Sequence, residues 1–133
     1  MILSKLRIIS LSNKKMFGKV DKGWGYEQIW CSNDLYCGKY LVFSLAGNKF
    51  SMHFHKEKHE TWIVQKGSFI VRWIDTETAE IKETVLSEND TWCNLPLVPH
   101  QLEALEDHSI VVEVSTADSI EDNFRVFPGD SQT

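Results

Sequence analysis

Short runs of alternating apolar and polar residues, each closed by a turn signal, dominate this sequence of 133 residues. In Ser68 to Ile74 the large apolar residues Phe69, Val71 and Trp73 would share one face, and Ser109 to Ser115 is the most β-branched segment of the chain. This period of two is that of a β-strand, whose successive side chains point to opposite faces. We count about eight to ten such runs and no helical period longer than two turns, which predicts an antiparallel all-β sandwich or barrel.

Size and charge narrow the class of protein. A chain of 15.4 kDa supports one hydrophobic core and therefore one domain, residues 1–133, with the barrel core at about 38–115. An N-terminal strand or arm (Ile2 to Leu11), a loop (Asn13 to Lys22) and a C-terminal tail would flank this core. The formal charge of −5 without a basic stripe argues against nucleic acid as a partner.

Membrane insertion and secretion are not expected either. No apolar run approaches the roughly 18 residues that span a bilayer. The apolar N-terminus is interrupted by Lys5 and Arg7 and has no small-residue cleavage site after it, so a cytoplasmic location is expected. The three cysteines, Cys31, Cys37 and Cys93, form no CxxC pair and are expected to be reduced and mostly buried thiols.

The stretch from Gly47 to Gly67 carries most of the chemistry. His53 and His55 are two residues apart on a predicted strand, so both imidazoles would point to one face. Glu60 follows a short polar run that could turn the chain back, so that an adjacent strand, Glu60 to Gln65, presents its carboxylate to the same face. Two imidazoles and one carboxylate around one point favour a metal site.

The same stretch resembles the first motif of the cupins, small β-barrels of jelly-roll type. Gly47, five residues, His53-Phe54-His55, four residues, Glu60, six residues and Gly67 fit every fixed position of that motif. The second cupin motif is matched by Asp90, Pro96, Pro99 and His100, whereas its two glycines are missing. The resemblance implies a cupin-type jelly-roll barrel, a double-stranded β-helix, and a metal bound by His53, His55, Glu60 and His100.

The implied metal is a divalent ion. Three neutral imidazoles and one carboxylate suit a borderline ion, and zinc, manganese, iron and nickel all fit this ligand set. An open barrel that leaves one or two positions for water suits catalysis better than a structural role.

A narrower resemblance suggests a substrate class. Trp24 to Glu27, Trp62 and the tail around Asp122 to Val126 are similar to the C-terminal domain of bifunctional mannose-6-phosphate isomerases, which interconvert aldose and ketose phosphates. This implies a small carbohydrate or sugar phosphate as substrate. An iron(II) dioxygenase and a non-catalytic cupin that binds a small ligand are the alternatives.

Two further residues are candidates for catalysis. His59 lies close to the predicted ligands, but strand alternation sets it opposite to Glu60, at the rim of the site. Arg125 could hold a phosphate with two hydrogen bonds, and it matches an arginine in the tail of the related sequences. A homodimer is expected from the resemblance and from the apolar N-terminal segment, which could add to the edge of a partner's sheet.

Overall fold

The computed structural model describes residues 18–133, which form two antiparallel β-sheets and one short 3₁₀ turn. The predicted N-terminal strand or arm, Ile2 to Leu11, lies outside the described residues. The strands are β1 (Gly18–Lys22), β2 (Gly25–Ser32), β3 (Tyr36–Phe43), β4 (Met52–Phe54), β5 (Glu60–Lys66), β6 (Phe69–Ile74), β7 (Ile81–Leu86), β8 (Thr91–Asn94), β9 (His100–Ala104), β10 (Ser109–Thr116) and β11 (Phe124–Phe127).

The strand order is that of a double-sheet barrel. The six-stranded sheet runs β1-β2-β3-β10-β5-β8, and the five-stranded sheet runs β11-β4-β9-β6-β7. Consecutive strands therefore often lie in opposite sheets, as the jelly-roll prediction requires. The predicted all-β, jelly-roll architecture is confirmed.

Alternation along the strands places the core between the sheets. In β10 the side chains of Ser109, Val111, Glu113 and Ser115 are buried, and the residues between them are more exposed. The core is aromatic at its centre, where Phe43 stacks on Trp24 and meets the edge of Phe69. Phe43 and Phe69 are fully buried, so these strands are held chiefly by apolar contact between the sheets.

The two turns predicted at Gly47 and Gly67 each contain a glycine in the left-handed backbone conformation. Gly47 has φ 88° and Gly67 has φ 78°. At Gly67 a Cβ atom would also collide with the Ser109 side chain, so another residue there would be both strained and crowded. Gly67 can thus turn the chain from β5 in one sheet into β6 in the other.

Three local predictions were wrong. The segment predicted as a loop ends in β1, because Gly18 to Lys22 pair with Gly25 to Ile29 of β2. The C-terminal tail, predicted only to flank the barrel core, instead joins the five-stranded sheet as β11 beside β4. Of the cysteines, Cys37 is buried, but Cys93 is exposed and Cys31 only partly covered. Within residues 18–133, no helix is long and apolar enough to cross a membrane.

Candidate metal centre

Three histidines converge at one end of the five-stranded sheet. His53 of β4 and His100 of β9 are direct antiparallel partners, so their side chains leave the same face. His55 follows just after β4, two residues from His53. One ligand atom from each of the three histidines lies within 4.8 Å of the others, a grouping that could hold a metal ion.

Glu60 reaches this cluster from the opposite sheet. Its Oε1 lies 2.6 Å from His100 Nε2 and 3.8 Å from His55 Nε2. Glu60 therefore lies near the histidines, as predicted. The predicted reason was wrong, because β5 is not adjacent to β4. Glu60 instead begins β5 in the six-stranded sheet and faces the histidines across the barrel interior.

Each histidine is oriented by a backbone carbonyl. The Nδ1 atoms of His53, His55 and His100 lie 2.8, 2.6 and 3.0 Å from the carbonyl oxygens of Ser51, Asp122 and Val98. A carbonyl only accepts a hydrogen bond, so Nδ1 carries the proton and a neutral ring presents a bare Nε2. This is the arrangement that fixes imidazole ligands around a metal ion.

The contact between His100 Nε2 and the Glu60 carboxylate shows most clearly that a cation fits this site. Its Nε2 is buried and makes no hydrogen bond of acceptable geometry, although the Glu60 carboxylate is 2.6 Å away. A bare imidazole nitrogen and a carboxylate oxygen at this distance repel each other unless a proton or a metal ion neutralises them. The donor set therefore suits a divalent ion, whose identity the geometry does not select.

The surroundings of His53, His55 and Glu60 keep these side chains in the protonation states that bind a metal ion. Burial and the neighbouring His100 lower the pKa of His53 to about 3, against a hydrogen bond to Ser51 that raises it. Burial also lowers the pKa of His55. For Glu60 burial alone would raise the pKa, but His100 and Lys58 outweigh it and hold the pKa well below its usual range. Neutral imidazoles and an ionised carboxylate are what metal binding requires.

A buried network of lysines and acids adjoins Glu60. Lys58 Nζ lies 3.5 Å from Glu60 Oε2, 3.7 Å from Glu113 Oε2 and 3.1 Å from Asp118 Oδ1. Lys39 Nζ lies 3.1 Å from Asp118 Oδ2, and both lysine side chains are almost fully buried. Buried charges persist only when they are paired, so this network has a fixed geometry.

Glu113 is the member of the network best able to hold a proton. Burial, followed by the nearby Glu60 charge, raises the pKa of Glu113 to about 7, against the lowering effect of Lys58 and Lys39. Trp62 Nε1 donates a hydrogen bond to Glu113 Oε1 at 3.0 Å. A carboxyl that titrates near neutrality beside a metal centre can act as a general acid or base.

One cavity of about 470 Å³ connects these features. His53, His55 and Glu60 line one part of it, and Lys58 and Glu113 line another. Its volume is that of a small-molecule site.

Two cations stand at the exposed rim of this cavity. Arg125 of β11 is the direct partner of His53 on β4, so its side chain lies on the cavity side of the sheet. Lys22 of β1 also lines the cavity. Among residues 18–133, neither side chain has an acidic partner within 4 Å, whereas Lys39 and Lys58 inside are paired.

His59, the remaining predicted site residue, lies outside the cavity. It is exposed, its Nε2 is 2.9 Å from Cys93 Sγ, and it does not line the cavity. Strand alternation explains this position, because Glu60 points inward and its neighbour must leave the barrel wall. The structure thus brings five of the six predicted site residues to one region, namely His53, His55, Glu60, His100 and Arg125, and leaves His59 outside it.

Sequence reasoning missed Lys58 and Glu113. The signal for Glu113 was available, since it occupies an inward position of the most β-branched strand, where a charge is unexpected. For Lys58 no such signal existed, because it lies in a charged turn between β4 and β5 and is buried only by partners that come from distant strands.

No family model matches the sequence, and no curated protein matches it. Many solved structures do match the fold. Oxalate decarboxylase from Bacillus subtilis superposes with a TM-score of 0.72 at 21% identity over 85% of this chain and 30% of its own. The capsular polysaccharide assembling protein CapF from Staphylococcus aureus gives 0.71 at 17% identity over 82% of this chain and 32% of its own.

A third structure is closer in size. KdgF from Halomonas sp. superposes with a TM-score of 0.60 at 20% identity, covering 72% of this chain and 81% of its own. The chain spans about a third of the length of oxalate decarboxylase and CapF. All three proteins have the cupin fold, and at these identities the likeness shows that fold for this chain.

Proposed function

We propose that this cupin-fold protein binds a divalent metal ion through His53, His55, His100 and Glu60 and isomerises a sugar phosphate between its aldose and ketose forms. The observation that supports this most strongly is the composition of one cavity. It combines a metal-ligand cluster, a buried acid whose pKa is raised to about 7, and two cations at its rim that have no acidic partner among residues 18–133.

The metal would supply polarisation of a substrate oxygen, which lowers the cost of charge on that oxygen. The chain's own residues supply the remaining steps. Isomerisation transfers one proton between neighbouring carbons and another between their oxygens, so a group that both accepts and donates a proton is needed. Glu113 is suited to this because its pKa is raised to about 7 by burial.

Lys58 would keep Glu113 and Glu60 in position. It lies between the two carboxylates and is itself fixed by Asp118. Trp62 is almost fully buried and donates a hydrogen bond to Glu113, which helps to hold that carboxyl in place.

Arg125 and Lys22 would bind the phosphate. A phosphate carries close to two negative charges at neutral pH, and an arginine can hold it with two parallel hydrogen bonds. Because the lysines inside are already paired with acids, the unpaired positive charge lies at the rim. The anionic end of the substrate would point outward and its carbonyl end toward the histidines.

The deciding experiment is an assay of aldose–ketose interconversion over a panel of sugar phosphates, with protein reconstituted separately with zinc, manganese, iron(II) and nickel. We expect turnover with at least one metal, and a loss of at least about 100-fold in kcat for Glu113→Gln with unchanged metal content. The control is Glu103→Gln, which alters a carboxylate bonded to Arg72 on the other sheet.

Other outcomes would contradict isomerase chemistry. Oxygen uptake by the iron form without isomerisation would favour a dioxygenase. Tight binding of a sugar phosphate that is recovered unchanged would favour a non-catalytic binding protein.

A further inference from the structure

The metal ligand Glu60 has a direct partner on the neighbouring strand that the proposed chemistry does not use. Glu60 begins β5, and Asn94 ends β8 opposite it in the antiparallel register. Both residues are almost fully buried, with 3% of each exposed. Asn94 Nδ2 donates a hydrogen bond of 3.3 Å to Glu60 Oε1, the carboxylate oxygen that lies 2.6 Å from His100 Nε2. An amide donor therefore reaches the same oxygen that faces the histidines.

The direction of the Asn94 amide is set by Trp92. The two residues are two positions apart in β8, so their side chains share one face of the strand. Trp92 Nε1 donates a hydrogen bond to Asn94 Oδ1 at 2.9 Å. Because an indole N–H can only donate, the amide oxygen has to face Trp92 and the amide NH2 group has to face Glu60. Without this bond the amide could turn over and present its oxygen to the carboxylate.

The two oxygens of Glu60 are thus held by different partners. Lys58 Nζ lies 3.5 Å from Oε2, and Asn94 Nδ2 is bonded to Oε1. A carboxylate oxygen has two lone pairs, so Oε1 can accept the bond from Asn94 and still offer a lone pair to a cation. The carboxylate is therefore held on both sides, with Oε1 toward the histidines.

We propose that Asn94, directed by Trp92, is a positioning residue that keeps Glu60 Oε1 turned to the histidines and so strengthens metal binding. Groups that hydrogen-bond to a metal ligand fix its orientation, and their loss typically lowers metal affinity by about 10- to 100-fold. This role rests on the metal site of the proposed function, but it requires no particular substrate or reaction.

A purely structural role for Asn94 would have a different signature. Loss of a buried hydrogen bond alone would destabilise the fold and leave the arrangement of the bound metal ligands unchanged. A positioning role acts on Glu60, so it changes both the metal affinity and the visible absorption of bound cobalt(II), whose bands depend on the geometry of its ligands.

Cobalt(II) titration of the full chain and its variants tests the proposal. Asn94→Leu keeps the size of the side chain and removes its donor, and we expect the dissociation constant to rise at least about tenfold, with shifted absorption bands at full loading. Trp92→Phe removes only the indole N–H group and should raise the dissociation constant about threefold. Trp73→Phe is the matched control, because the Trp73 ring packs on Trp92 at 4.8 Å between centroids but bonds to neither Asn94 nor Glu60. We expect native affinity from it.

Circular dichroism shows whether each variant is folded. If Asn94→Leu is not, Trp92→Phe serves instead, and native affinity in that variant would overturn the role. In folded Asn94→Leu, native affinity, or weaker binding with the native spectrum at full loading, would overturn the positioning role and leave the metal site standing. Equal weakening by Trp73→Phe and Trp92→Phe would also overturn it. A native chain that binds no cobalt(II) would overturn the metal site itself together with this role.

Discussion

Glu60 Oε1 and His100 Nε2 lie 2.6 Å apart although the two residues belong to opposite sheets. The Nδ1 proton of His100 is directed to the Val98 carbonyl, so in a neutral ring the atom facing Glu60 is an acceptor. Two buried acceptors this close require a proton or a metal ion between them, and the three converging imidazoles favour the metal ion. The closure of the barrel therefore creates the metal centre, since neither sheet contains the complete ligand set.

Removing one of these ligands should remove the metal. We expect His100→Ala and Glu60→Gln to lower the metal content of purified protein at least about tenfold, because the first deletes a donor and the second removes the ligand charge that offsets the ion. Elemental analysis after growth in metal-replete medium measures this. His108→Asn is the control, since His108 is exposed, and its positive φ is one that asparagine tolerates. Full metal content in both ligand variants would refute the assignment.

Asp122 should matter for metal affinity without being a ligand. Its carboxylate accepts hydrogen bonds from the backbone N–H groups of Lys56, Glu57 and Lys58, and its carbonyl accepts one from His55 Nδ1. We expect Asp122→Ala to weaken metal binding by about tenfold, because the turn that holds His55 and Lys58 loses its anchor. Competition with a chromophoric chelator measures the affinity. The exposed neighbour variant Glu121→Ala should bind as the native protein does, and equal affinities for both variants would contradict this role.

Arg125 should act on substrate binding more than on turnover. A lost charge-assisted hydrogen bond costs about 1.5–3 kcal/mol, so Arg125→Ala should raise KM for a phosphorylated substrate by about 10- to 100-fold with a smaller change in kcat. The unphosphorylated sugar should show no such increase. Lys82→Ala, which removes an exposed cation bonded to Asp75 away from the cavity, is the control. A loss confined to kcat would exclude a role in holding the phosphate.

In the metal-free protein, His53 should lower the stability of the fold on mild acidification. Burial and His100 lower the pKa of His53 in the folded chain to about 3, below the ordinary value of 6.5 that it regains on unfolding. The unfolded state therefore binds this proton first, so the contribution of His53 to the free energy of unfolding is full above pH 6.5 and is lost as the pH drops toward 3. Glu113, whose pKa is raised to about 7 in the folded chain, contributes in the opposite direction. Urea unfolding in the presence of chelator at pH 7.5 and pH 5.0 tests this. Between these two pH values His53→Gln should lose less stability than the native chain, and an unchanged pH dependence in that variant would contradict the assignment to His53.

Much of the fold was predictable because it depends on local alternation. Ser68 to Ile74 and Ser109 to Ser115 were predicted as strands and form β6 and β10 with little change at their ends. The prediction of a loop at Gly18 to Lys22 failed because that segment contains glycine and two lysines, which local propensity assigns to a turn. Its pairing with β2 overrides that propensity.

The candidate site also has a part that was predictable from local sequence and a part that was not. The spacing of His53 and His55 alone determines that they share one face, because a strand repeats every two residues. The partnership of His53 with His100, the approach of Glu60 from the other sheet and the burial of Lys58 depend on contacts between residues far apart in the chain. Local sequence periodicity carries no information about which strands become neighbours.

The sequence by itself therefore determined the β architecture, the inward direction of the histidines and the set of donor atoms, since these follow from periodicity and side-chain chemistry. Only the tertiary structure decided that Glu60 closes the site across the barrel, that His59 turns away to Cys93, and that burial raises the pKa of Glu113 beside Lys58. The physical reason is that burial and electrostatic pairing arise from the packing of two sheets, and each sheet combines strands from distant parts of the chain.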